Sequence, residues 1–341
     1  MTRHPLLLAI TVADGLSAAL LLYAAGFAIR ALTAWAPDAC DSSQLRLERR
    51  IETAEMAARF GFVFFSLASV LLVLGISQVL PPIVPGAMCG TGVIQSSQGL
   101  LNKAVWFRGL GVLALHLWAA SAKLDRRRPD SPLARVNARL LLLAAGVTAA
   151  AAVVTAQAFL AIDLQHPVDC CSVVYDVLRQ ETVEFMLSGR RLTGAFAAMS
   201  LGVLASGVWT LAAGAARRLL AATLLSAAVA VWLPLAASAL IDSFAAYYYE
   251  VLQHRCPWCL FLPEHGRVGY PLFAALLAAA LEAPVALLSA KAGLSHPPLS
   301  CESQRRCRTA VVRVLAANVI FWGLAVFPAV LWRLRYGVWM D

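Results

Sequence analysis

Sulfur is the element best placed for chemistry in this sequence. Cys256 and Cys259 stand in Arg255-Cys256-Pro257-Trp258-Cys259. A C-x-x-C spacing brings two thiols close enough to close a reversible disulfide or to share one metal ion. Pro257 suits the first turn of a helix, whose N-terminus would stabilise a thiolate, and Arg255 would add a neighbouring positive charge. A stable structural disulfide or a buried inert pair is the plainer alternative.

Further thiols and imidazoles stand in the loops nearby. Cys89 lies in Met88-Cys89-Gly90-Thr91-Gly92, where two glycines permit tight backbone turns. Cys170 and Cys171 are adjacent, after His166-Pro167-Val168-Asp169. A disulfide between neighbours closes a strained ring. Each is therefore expected to pair elsewhere, one with Cys89 as a staple or one in exchange with the Cys256–Cys259 pair. The same loops offer Cys89, His166, Cys170, His254 and His265 as ligands for copper, zinc or haem iron. The absence of C-x-x-C-H argues against covalent haem of the usual kind. The remaining thiols, Cys40, Cys301 and Cys307, lack zinc-site spacing and read as free and reduced.

The segment Cys256-Pro257-Trp258-Cys259-Leu260 resembles the reactive C-x-x-C-[apolar] stretch of the DsbB and vitamin K epoxide reductase families. Those membrane enzymes are four-helix bundles that pass electrons between thiols and a quinone. The resemblance covers about five residues, and it implies only that Cys256 and Cys259 form the reactive pair; no Arg stands where DsbB places its quinone-facing one. This sequence departs from the pattern in placing Pro263 and Glu264-His265-Gly266 before the next apolar block, and in having twice as many such blocks.

Three ionisable residues interrupt apolar stretches: Asp14, His116 and Glu282. A charge at membrane depth is costly and marks either a functional site or a pairing partner. A carboxylic acid stranded in lipid is expected to stay protonated. Asp14 and Glu282 are thus expected to be neutral and hydrogen-bonded between helices, with His116 a candidate partner. The alternative is a proton path or a quinone contact. Arg108 and Arg313, nearer the ends of their blocks, are expected to snorkel to the interface.

The elements that position these groups follow from composition. The chain is 60% hydrophobic and 14% charged, where a soluble domain has about a quarter charged residues. Eight apolar blocks, near 6–30, 60–80, 104–122, 140–162, 192–213, 219–241, 271–290 and 311–332, approach the ~20 residues a spanning helix needs. Spanning backbone must satisfy its own hydrogen bonds, so the fold class is all-α: a polytopic helical bundle of about eight transmembrane helices in one membrane domain, 1–341. Segment 35–58 reads as an amphipathic surface helix or as an extension of the second span.

Lys and Arg orient the chain. They concentrate in the loops 31–59, 123–139, 214–218 and 291–310, which are therefore expected to be cytoplasmic. Loops 81–103, 163–191 and 242–270, and both termini, then lie on the extracytoplasmic side of the inner cell membrane. Five of the eight cysteines fall on that side.

Three function classes follow. The first is a membrane thiol oxidoreductase exchanging with a soluble extracytoplasmic thiol. The second is a metal or haem handling protein serving an exported respiratory enzyme. The third is a transporter whose loops are stapled by disulfides. The net charge of +9 is explained by cytoplasmic loops facing anionic headgroups. Nucleic acid is not expected as a partner, because no basic stripe is interleaved with aromatics.

Overall fold

The computed structural model describes residues 4–35, 42–128, 130–170, 189–252 and 254–340. Cys40 and Cys171 lie outside these residues. Every regular element among the described residues is helical, and eight helical stretches of 22 to 40 residues are long and apolar enough to cross a bilayer. The chain is a polytopic helical membrane bundle, as composition predicts.

The long helices are α1 (Pro5–Ala34), α2 (Ser42–Leu74), α4 (Leu100–Asp125), α5 (Ala134–Leu160), α6 (Gly189–Ala212), α7 (Ala215–Ala239), α9 (Gly269–Ser295) and α10 (Ser300–Tyr336). Two short helices, α3 (Gly90–Ser96) and α8 (Ala245–Tyr249), lie in the connections. Of segment 35–58, residues 36–41 lie outside those described, and 42–58 extend the second span: α2 begins at Ser42 and runs without a break. Two spans end in π-helical turns, Gly75–Val79 after α2 and Leu240–Phe244 after α7. A π turn accommodates one residue more than an α turn and occurs often at functional sites.

The described residues form two compact units. In the first, 1–85 and 93–166, α1 packs on α2 and α5, and α4 packs on α2 and α5, a closed ring of four helices. Alanine dominates its core: Ala24, Ala28, Ala31, Ala54 and Ala58 meet around Phe65, Trp118 and Leu141. Small residues let helices approach where lipid supplies no hydrophobic drive. One close approach is at Gly61, whose carbonyl accepts from Ser17 Oγ at 2.9 Å. Large apolar side chains such as Leu8, Leu22, Val63 and Leu67 point outward, suited to lipid.

The second unit comprises 86–92 and 167–341. In it α6 packs on α7 and α10, and α9 packs on α7 and α10. Its centre is aromatic. Trp232 and Phe321 meet edge to face at 5.5 Å, Phe196 meets Phe321 at 5.9 Å, and Trp232 Nε1 donates to Ser200 Oγ at 2.9 Å. Spanning hydroxyls bond back to their own helix in both units, for example Thr155 to Ala151 O and Ser200 to Phe196 O. Such bonds satisfy buried donors where no water reaches.

The intramembrane carboxylates depart from expectation. Asp14 pairs with Arg108, and Glu282 with Arg313 at 2.6 Å and Arg306 at 3.1 Å. Arg108 does not snorkel. It is buried, donates also to Thr155 Oγ1 at 3.2 Å and Ser69 Oγ at 3.4 Å, and lies 5.5 Å from the centre of the Phe65 ring. Arginines therefore stand where His116 was the expected partner, because a guanidinium beside a buried carboxyl offsets part of its desolvation cost. Asp14 and His116 belong to the first unit and Glu282 to the second.

Candidate functional site

Three stretches of the second unit bring sulfur together. The first is residues 86–92. Gly86 has φ +76°, and a Cβ there would lie 2.3 Å from the Val168 carbonyl oxygen, so only glycine lets this turn press against the segment leading to Cys170. Gly90 is crowded from the other side: a Cβ would meet the Trp258 ring at 2.7 Å. Cys89 is thus held between the second stretch, 167–170, and the third, the Cys256–Cys259 motif.

The third stretch is shaped by its prolines. Cys256 caps the 3-10 turn Pro257–Phe261, a second 3-10 turn spans Pro263–His265, and α9 begins only at Gly269. The predicted α-helical N-terminus at Cys256 is thereby replaced by a five-residue turn, because Pro263 lacks the N–H that a continuing helix needs. Arg255, the predicted positive neighbour, lies 3.9 Å from Asp242. Tyr249 anchors the motif from α8 by donating its hydroxyl to the Cys256 carbonyl.

The result is a buried cluster of free thiols. Cys89 Sγ lies 3.4 Å from Cys170 Sγ and 3.5 Å from Cys256 Sγ. Cys89, Cys256 and Cys259 sulfurs all lie within 4.8 Å of one another. Exposures are 2% for Cys89 and Cys256, 4% for Cys170 and 8% for Cys259, so all four sulfurs are buried among the described residues. Thr91 Oγ1 approaches Cys256 Sγ at 2.9 Å.

Hydrogen bonding divides the thiols electrostatically. The Cys259 thiol, then Cys89 and Thr91, hold Cys256 well below the ordinary thiol range, against the opposing effect of burial. Cys170 likewise lowers Cys89. The two donors move the other way: Cys170 is raised by its bond to Cys89 and by burial, and Cys259 by its bonds to Cys256 and Cys89. Cys256 is therefore the readiest nucleophile, since the thiolate is the attacking form.

Of the second unit's predicted imidazoles, His254 and His265 are not members of the Cys89, Cys256 and Cys259 group. His166, in the first unit, is exposed and bonds Asp163 within its own turn at 2.7 Å. His254 and His265 pack edge-on against the Tyr249 ring, at 4.4 and 4.7 Å between centroids. Burial, then the charge of His265, lowers the His254 pKa. Among the described residues, the single cluster with metal-binding reach is Cys89, Cys256 and Cys259. A tetrahedral thiolate site with ~2.3 Å metal–sulfur bonds has sulfurs roughly 3.8 Å apart, which these three approximate.

Thr91, Tyr249 and Trp258 are functional neighbours that spacing alone left unassigned. Thr91 stands two positions after Cys89 and Trp258 inside the C-x-x-C, whereas Tyr249, the last of three consecutive tyrosines, carries no such signal. No protein-family model, curated protein or solved structure matches the chain.

Proposed function

We propose that the chain is a membrane thiol–disulfide relay, in which two electrons pass between the pairs Cys89–Cys170 and Cys256–Cys259. The observation that carries this is the succession of sulfurs: Cys170 beside Cys89 at 3.4 Å, Cys89 beside Cys256 at 3.5 Å, and Cys259 within reach of both. In the forward direction the Cys256 thiolate attacks Cys89 of a Cys89–Cys170 disulfide. The Cys89–Cys256 bond forms, the Cys89–Cys170 bond breaks, and Cys170 leaves as a thiolate that takes up a proton. Cys259, having lost its proton, then attacks Cys256 and expels Cys89. One disulfide is reduced to a dithiol and one dithiol is oxidised, so the exchange balances internally.

Turnover requires an outside couple for each pair. A soluble protein dithiol would exchange with Cys89–Cys170, and a bilayer quinone or a second disulfide with Cys256–Cys259. The burial of all four sulfurs means that such partners act at the edge of the cluster, while its centre carries the internal step. The Lys and Arg distribution supports an extracytoplasmic position for the thiol loops in an inner membrane.

The test is disulfide mapping by mass spectrometry of the purified, reduced, full-length protein during oxidation with a small disulfide. Cys259→Ser is expected to accumulate the Cys89–Cys256 linkage, and Cys256→Ser to form Cys89–Cys170 first and pass it to Cys259 only slowly. A Cys259→Ser protein that never links Cys89 to Cys256 defeats the relay.

A second reading is a thiophilic metal site, favoured by the mutual 4.8 Å reach of Cys89, Cys256 and Cys259. In that case reduced protein carries stoichiometric zinc or copper that Cys89→Ser loses. Reduced protein that stays metal-free after incubation with either ion removes it.

A further inference from the structure

Cys89 has two sulfurs of the C-x-x-C within reach, and reach alone does not say which of them it bonds. The surroundings of the two are not equal. Cys256 Sγ has the Thr91 hydroxyl at 2.9 Å, from a residue two positions beyond Cys89 on the same short segment. That segment is fixed at both ends, by Gly86 against Val168 and by Gly90 against the Trp258 ring. The backbone of Cys256 is fixed separately, by the Tyr249 hydroxyl on its carbonyl. One hydroxyl therefore joins the chain that carries the attacked sulfur to the sulfur that attacks it.

We infer that Thr91 is a positioning residue that selects Cys256, and not Cys259, as the partner of Cys89, by donating its hydroxyl hydrogen to the Cys256 sulfur. This rests on the relay reading and names the group that sets its order. In the step concerned, the Cys256 thiolate bonds Cys89 while Cys170 leaves with the electron pair of the broken disulfide. The Thr91 hydroxyl is neither oxidised nor consumed. It holds the sulfur on the line toward Cys89 and stabilises its charge until the new bond forms. A hydrogen bond to a charged sulfur in a dry site is worth enough to change such a rate by about tenfold.

Two backgrounds separate selection from general damage. In Cys259→Ser only Cys256 can capture Cys89 from a Cys89–Cys170 disulfide, and in Cys256→Ser only Cys259 can. Full-length protein in detergent is reduced, oxidised with a small disulfide, acid-quenched and mapped over time.

Thr91→Val is expected to slow the Cys89–Cys256 linkage about tenfold, and Thr91→Ser to keep it within about twofold of Thr91. The Cys89–Cys259 linkage in the Cys256→Ser background should not be slowed by Thr91→Val. Equal slowing of both linkages, or of neither, overturns the assignment of selection to Thr91. An absent Cys89–Cys256 linkage with Thr91 intact overturns the relay itself, and Thr91's part in it. Should Thr91→Val fold poorly, Thr91→Ala gives the same comparison against Thr91→Ser.

Discussion

At the scale of single residues, the cluster depends on what its neighbours leave out. Gly90 has no Cβ, and the Trp258 ring occupies the space one would fill. Gly90→Ala should force the ring or the loop aside and cost about 1–3 kcal/mol, as overpacking does, read as a lower midpoint in thermal unfolding. Proton binding is the second residue-level consequence. Cys256 is held below the ordinary thiol range first of all by the Cys259 thiol. A lowered pKa keeps the reactive thiolate populated as pH falls, so alkylation of Cys256 by iodoacetamide should persist at pH values where ordinary thiols near pKa 8.5 are quenched. Cys259→Ala removes the largest cause and should move the rise in alkylation toward higher pH. The cysteines themselves were legible, because C-x-x-C and the Gly-flanked Cys89 are local patterns. The Thr91–Cys256 contact was not, since it joins positions 165 residues apart. Nor was the approach of Arg255 to Asp242, which lies in the π turn that follows α7.

At the scale of elements, the burial of Arg108 makes a sharp prediction. Its guanidinium serves Asp14, Thr155 and Ser69 together, so it ties α4 to α1, α5 and α2. Removing one member leaves the other charge buried and alone. Asp14→Leu is expected to destabilise by about 3–5 kcal/mol, and the pair Asp14→Leu with Arg108→Leu to recover most of that loss, measured by thermal unfolding in detergent. If the double variant is no more stable than the single, the pair is not what α1 and α4 share. The spans were readable from apolar length alone. What length could not supply was the partner of each carboxylate: helix rotation decides that, and alanine-rich spans carry too little apolar asymmetry to fix it. Segment 35–58 shows the same limit. Its mixed pattern suits a surface helix and a long span equally, and continuity with the apolar stretch decided for the span.

At the scale of the whole chain, the eight helices among the described residues that are long and apolar enough to cross a bilayer set a parity. A tag at residue 130 and one at residue 260 should report opposite compartments, and a membrane-impermeant maleimide on intact cells should label the 130 side only after lysis. The same compartment for both would invalidate the proposed sidedness while leaving the sulfur geometry of the second unit untouched. The arrangement of the helices in two rings of four was not readable, because block lengths and loops are similar throughout and packing partners are not encoded in length. The π turn at Leu240–Phe244 has a consequence on this scale. It amounts to a one-residue insertion carried within a span, and everything beyond it is rotated by ~100° relative to an uninterrupted helix. Excising Ser243 would erase the insertion and swing Tyr249 off the Cys256 carbonyl and out from between its two histidines. A chain shortened by that one residue would keep all its thiols and apolar spans, yet would have no phenol to hold the motif in register.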